Sequence, residues 1–124
     1  MVEVINDKGF KYIEWTANDS LVRINYPTTG YGVYSNKYEL IVIMEYGGGN
    51  SLNATVYNRD GFEIGKITPL AEDIVYEYIS IHPSSASGVA IVGAYNNLVD
   101  NFQDWFFEVD LEHFFIGKRL SPAC

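Results

Sequence analysis

A chain of 124 residues with 48% hydrophobic side chains is the size of one domain and has the apolar surface to fold around one core, without help from a metal or disulfide. Its formal charge of −8 lacks the Lys and Arg surplus that supplies most nucleic-acid affinity, so no DNA or RNA partner is expected. The lone cysteine, Cys124, can neither bridge internally nor complete a zinc cage, Glu3, Asp7 and Lys8 interrupt any N-terminal signal-peptide run, and the longest apolar run, Leu40 to Met44, is far below the about 20 residues of a membrane helix, so a soluble cytoplasmic protein with no membrane partner is expected.

In chain order, short runs of Val, Ile and aromatic residues separated by Gly, Asn, Asp and Pro predict strands at Val2 to Ile5, Phe10 to Thr16, Leu21 to Asn25, Gly32 to Tyr34, Glu39 to Tyr46 and Asn53 to Asn58. They continue at Glu63 to Thr68, Val75 to His82, Val89 to Tyr95, Trp105 to Asp110 and Phe114 to Leu120. Within the second run Lys11, Ile13 and Trp15 interleave with Tyr12, Glu14 and Thr16, the pattern of a half-solvated strand, which we expect nearer an edge. Leu40 to Met44 and Val89 to Ala94 are apolar without interruption, so both of their faces should be covered and they should be central. Gly47 to Ser51 reads as a flexible connector; it lacks the Lys-Ser/Thr ending and following helix of a phosphate loop. The Asp60-Gly61 pair marks a tight hairpin, because glycine takes a positive φ without steric cost. Thr68-Pro69 leaves a helical turn open near Leu70 to Ile74, although the β-formers that follow favour a strand. The whole reads as an all-β domain spanning residues 1–124, an antiparallel meander packed as a sandwich or partly open barrel with little or no helix.

Two larger patterns overlie the strands. Between Ile67 and Gly117 there is no Lys or Arg, while Glu72, Asp73, Glu77, Asp100, Asp104, Glu108, Asp110 and Glu112 all fall there, which suits either a face for a basic partner or a solvated surface. The two halves also echo each other: both end in Ile-Gly-Lys, at 64–66 and 116–118, with Pro69 and Pro122 shortly after. A repeat near 50 residues is the length of one β-meander unit, so two blade-like halves are expected. Residues Tyr78 to Pro83, Ser87-Gly88 and Val89 to Val92 resemble the opening of a β-propeller blade, a likeness covering residues 74–122. Propellers close with about 4 to 8 blades, more than this chain supplies. In size, acidity and aromatic texture the chain also resembles the small proteins of bacterial integron gene cassettes, which implies a bacterial binding or interaction protein and assigns no residue a role.

No reaction is written in the motifs. His82 and His113 are the two histidines, and no Gly-x-Ser-x-Gly elbow accompanies them. His113 with Asp110 or Glu112 is the best acid–base grouping, the basis of a small hydrolase as one alternative. No set of residues has metal-ligand spacing, and the oxygen-rich loop Asn96 to Asp104 lacks the bend glycine and terminal Glu of a calcium loop, so no metal or other cofactor is expected. The aromatics are the remaining signal. Tyr26, Tyr31 and Tyr34 flank Pro27 to Gly30, and Trp105 opens a run of rings; such side chains fill small β cores, and any excess suits a binding surface. We therefore expect a non-enzymatic protein that binds a protein or small molecule through Tyr26, Tyr31, Tyr34, Asp100, Asp104 and Trp105. An acidic inhibitor or immunity-type protein capping a basic partner is the second alternative, and exposed sheet edges predict a C₂ homodimer.

Overall fold

The computed structural model describes residues 2–47, 52–71 and 73–123. Cys124, Glu72 and the 48–51 part of the glycine connector lie outside the described residues. Eleven strands run through the described residues: β1 (Ile5–Asn6), β2 (Tyr12–Ala17), β3 (Ser20–Asn25), β4 (Thr29–Ser35), β5 (Leu40–Tyr46), β6 (Ala54–Tyr57), β7 (Glu63–Lys66), β8 (Ile74–Ile81), β9 (Val89–Val99), β10 (Phe102–Asp110) and β11 (Phe115–Pro122). No helix of the described residues is long and apolar enough to cross a membrane. The strands form antiparallel meanders, a three-stranded sheet β1-β2-β3 and two four-stranded sheets, β4-β5-β6-β7 and β11-β10-β9-β8, none closed into a barrel. The fold is thus the expected all-β sandwich. The helical turn left open at Leu70 to Ile74 is absent from its described residues, where β8 begins at Ile74.

The β4–β7 sheet is the middle layer, and the two-residue period of β5 explains why. Ile41 and Ile43 point one way, joining Ile13, Trp15 and Tyr26 in a core shared with the three-stranded sheet. Val42 and Met44 point the other way, into a larger core with Ile79, Ile91, Phe107, Val109 and Ile116 of the β8–β11 sheet. An uninterrupted apolar run is what a strand covered on both faces requires, and each such side chain contributes about 1.5–3 kcal/mol by leaving water. Two expectations change here. The first 25 residues build a sheet of their own beside the two four-stranded units. And β2, expected near an edge, is the central strand of that sheet: its alternation records one solvated face, with Ile13 and Trp15 turned into the core.

The echo between halves is structural. Ile64-Gly65-Lys66 lies on β7 and Ile116-Gly117-Lys118 on β11, the last strand of each four-stranded meander. Parallel bridging between Thr68 and Phe115 ties these two outer ends together, and Gly65 makes room for the Phe114 ring, with which a Cβ there would collide.

Short turns carry the strands into each other. Asn18 and Asp19 have φ of 51° and 64°, and Asp100 and Asn101 have 48° and 73°, so both pairs are two-residue turns of the type that matches strand twist. Asp60-Gly61 closes the β6–β7 hairpin as expected, with the Gly61 N–H donating to the Asn58 carbonyl at 3.1 Å. At the far end of the sandwich, the Ser35 hydroxyl donates to the Ser87 carbonyl and the Ser87 hydroxyl donates to the Val109 carbonyl, both at 2.7 Å. These buried serines join the ends of β4, β9 and β10. The outer edge of β4 is closed by the Asn6 side chain, whose amide donates to the Gly32 carbonyl and accepts from the Gly32 N–H, both at 2.9 Å. The Phe10 carbonyl takes the Gly30 N–H beside it.

Candidate functional site

β4 and β8 are the edge strands of the two four-stranded sheets, and they lie next to each other without pairing. The gap between them is an open groove of about 620 Å³ lined by Phe10, Tyr31, Tyr46, Tyr78, Ile79 and Ile81 among others. Its floor is core: Ile79 and Val33 are buried. Its rim is not, since Phe10, Tyr78 and Ile81 are 48%, 46% and 55% exposed. Apolar side chains left open around one depression differ from the singly scattered ones that any surface carries. The Ile79 N–H faces the Tyr46 hydroxyl across the floor. Burial raises the Tyr46 pKa against the pull of that N–H, so the group stays a neutral phenol at physiological pH.

Phe10 is held in place at some cost. Its φ of 58° lies in the left-handed region, which bulky side chains rarely adopt. The turn that fixes it includes the Phe10 N–H bond to the Asp7 carbonyl at 3.0 Å, and the ring sits 6.2 Å from that of Tyr31. At the opposite wall the register of β8 slips between Tyr76 and Tyr78, placing Glu77 in a bulge. Glu77 lines the groove, and the Asp104 carboxyl lies near enough to act on its charge. Partial burial and the adjacent Asp104 charge hold its carboxyl above the usual range.

The six residues expected to bind are dispersed. Tyr31 lines the groove, and Asp104 neighbours Glu77 without lining the groove itself. Tyr34 lines a smaller hollow with Lys37 and Ser85, which adjoins the groove through Ile81. Tyr31 and Tyr34 both belong to β4, which begins at Thr29, three residues before the expected strand. Tyr26 is inside the smaller core, 7% exposed, and its hydroxyl has no hydrogen-bond partner. Burial, then the nearby acidic groups led by Glu45, drive its pKa upward. Asp100 and Trp105 meet at the other side of the sheet through Arg119, which bonds Asp100 at 2.9 Å and lies 4.3 Å over the buried Trp105 ring. The expected acidic loop is a hairpin, because β9 continues to Val99 and β10 starts at Phe102.

His113 Nδ1 is 3.4 Å from Asp110 Oδ1, but that oxygen already accepts the N–H groups of Glu112 and His113 at 2.9 Å. It caps the β10–β11 turn, with the imidazole in solvent. Partial burial works to raise the Asp110 pKa, and the two N–H bonds overcome it and hold the carboxyl low. His82 packs 4.7 Å from the Phe106 ring and bonds Ser121 at 3.0 Å, on the outer side of the sheet. Among the described residues no three of His, Cys, Asp and Glu converge as metal ligands.

Composition and periodicity did not single out Phe10, Tyr46, Glu77, Tyr78, Ile79 and Ile81. The available signal was β8 itself, whose Val75, Tyr78 and Ile81 leave apolar surface on a strand with one unpaired edge.

Fold and site together define an all-β sandwich with an apolar groove between two edge strands. No protein-family model matches the sequence, and no curated protein matches it. Among solved structures the chain is similar to a chain of "Structure of Tne2 in complex with Tni2", with a TM-score of 0.64 and 11% identity, over 90% of this chain and 77% of that one. At that identity the likeness shows the fold alone.

Proposed function

We propose that this chain is a non-enzymatic interaction protein that binds another protein across the groove between β4 and β8. The observation that carries the reading is the rim of Phe10, Tyr78 and Ile81, apolar side chains kept in solvent around one depression, one of them in a strained backbone conformation. Aromatic anchors around a preformed apolar depression are the usual centre of a protein interface. The similar fold found in a complex of two proteins supports the same reading. Within it, an acidic inhibitor or immunity-type role is favoured by one specific feature, the absence of Lys and Arg between Ile67 and Gly117. Self-association belongs to an edge away from the acidic rim, such as β3, where Leu21 is open to solvent.

Photo-crosslinking in the source cells tests the site. A benzophenone side chain at Tyr78 is expected to give a discrete adduct that disappears when Ile81→Asp is added, while the same group at Leu21 does not give that adduct. Identical adducts from both positions, or none from Tyr78, would remove the groove as the binding site.

A further inference from the structure

The groove supplies one unpaired strand edge, and the chemistry around that edge specifies what can occupy it. The His82 N–H donates to the Gly88 carbonyl at 2.9 Å, and Ser80 pairs with Ala90 two residues earlier. By the two-residue period, backbone groups of Ser80 and His82 turn toward β9 and those of Ile79 and Ile81 turn outward, the Ile79 N–H toward the Tyr46 hydroxyl and the Ile79 carbonyl and Ile81 groups toward the groove. On the facing side, Asn6 takes both backbone groups of Gly32 in β4 and the Phe10 carbonyl takes the Gly30 N–H. An extended chain entering the groove therefore has β8 as its pairing partner.

Charge narrows the occupant further. No Lys or Arg lines the groove, Glu77 stands on its wall, and the Asp104 carboxyl is its neighbour. Two carboxyl groups in contact repel unless they share a proton or meet a cation. A second copy of this chain, itself at −8, would bring the same acids to the same rim.

We infer that the groove takes an extended segment of a basic partner protein, which adds as a strand to the open edge of β8. It places an aliphatic or aromatic side chain against Tyr31, Tyr46 and Ile79, and a neighbouring Lys or Arg on Glu77 and Asp104. Backbone pairing supplies sequence-independent affinity, the apolar floor selects the anchor, and the acid pair selects the cation. The inference rests on the protein-binding reading above and names the partner's chemistry.

The test uses the full chain and two peptides, acetyl-Thr-Val-Lys-Ile-Lys-Val-Thr-amide and its analogue with Glu in place of both Lys. Amide chemical shifts of Ile79, Ser80 and Ile81 are followed on titration. The Lys peptide is expected to move these amides, to protect the Ile81 N–H from exchange, and to bind at least roughly tenfold more tightly than the Glu peptide at low salt, the gap closing as salt screens it. Glu77→Gln with Asp104→Asn should abolish that preference while the protein melts normally. N-methylation of the peptide on the edge facing β8 should abolish binding. Equal affinity for the two peptides, binding unchanged by N-methylation, or a groove filled only by the uncharged apolar probe N-phenylnaphthylamine would overturn the inference. If Tyr78 crosslinks to a protein yet neither peptide binds, strand addition fails and the protein-binding reading stands; if the crosslink is absent as well, both fail.

Discussion

In the β4–β7 meander the central strand β5 gives up both faces to other sheets, and Ile41, Val42 and Ile43 are fully buried. In the β8–β11 meander the internal strand β9 is also buried on both faces over Val89 to Val92, as its apolar run predicts, but the edge strand β8 leaves Val75, Tyr78 and Ile81 about half exposed. The two units share four-stranded order and an Ile-Gly-Lys ending, so their plan is common and their surroundings are not. The inner meander holds the molecule together, and the outer one is left with surface to use. A repeat unit thus acquires a role from what its neighbours leave uncovered, more than from its own sequence.

Substitution breaks this comparison most sharply at equivalent aliphatic positions. Ile43→Ala removes a side chain shared by two packed layers and is expected to cost about 2–5 kcal/mol in urea unfolding, whereas Val75→Ala, on the open side of β8, should stay within about 0.5 kcal/mol. Comparable losses at both sites would mean that the outer face is covered after all. The serine link between the meanders comes next. Ser87→Ala deprives the buried Val109 carbonyl of its donor and should cost about 1–3 kcal/mol, with hydrogen exchange rising in β4 and β10 together if the link couples the sheets.

Asp110→Ala should cost about 1 kcal/mol through the lost turn cap. Because the folded state depresses this carboxyl, its stabilisation is present above the unfolded-state value and disappears as pH falls through the lower folded one. The variant should therefore flatten the acid limb of a melting-temperature profile, and an unchanged limb would assign acid sensitivity elsewhere. Glu77→Gln is the smallest effect and has the opposite sign. The raised carboxyl favours the fold while protonated and loses that benefit as pH rises through the folded value, so the variant should gain slightly over the parent at neutral pH and lose the gain in acid. A gain that persists in acid would have another source.

Much of the fold was legible because burial imposes a period on the side chains. Ten of the eleven runs of β-formers largely coincide with a strand, the first, Val2 to Ile5, shares only Ile5 with β1, and the unbroken Leu40 to Met44 run identified a strand covered on both faces. What period cannot report is which layer does the covering. The alternation of β2 reveals a solvated face equally well at the centre of a sheet, which is where β2 lies. Asn96 to Asp104 looked like a loop because it is polar, although Asp100-Asn101 tolerates the positive φ of a two-residue turn and lets both strands run almost to the tip. The site was less legible still. Tyr31 was chosen for its ring and does line the groove, but Phe10, Tyr78 and Glu77 are assembled from distant segments, and their meeting depends on how two sheet edges approach.

The amide of Asn6 carries a consequence beyond local bonding. By occupying both hydrogen-bonding groups of Gly32 from the side, it stands in for a neighbouring strand at the middle of β4. An unguarded border of this kind is where polymerising chains recruit one another. The amide thus subtracts the middle of β4 from the borders at which a further copy could attach, leaving fewer places for uncontrolled growth to start.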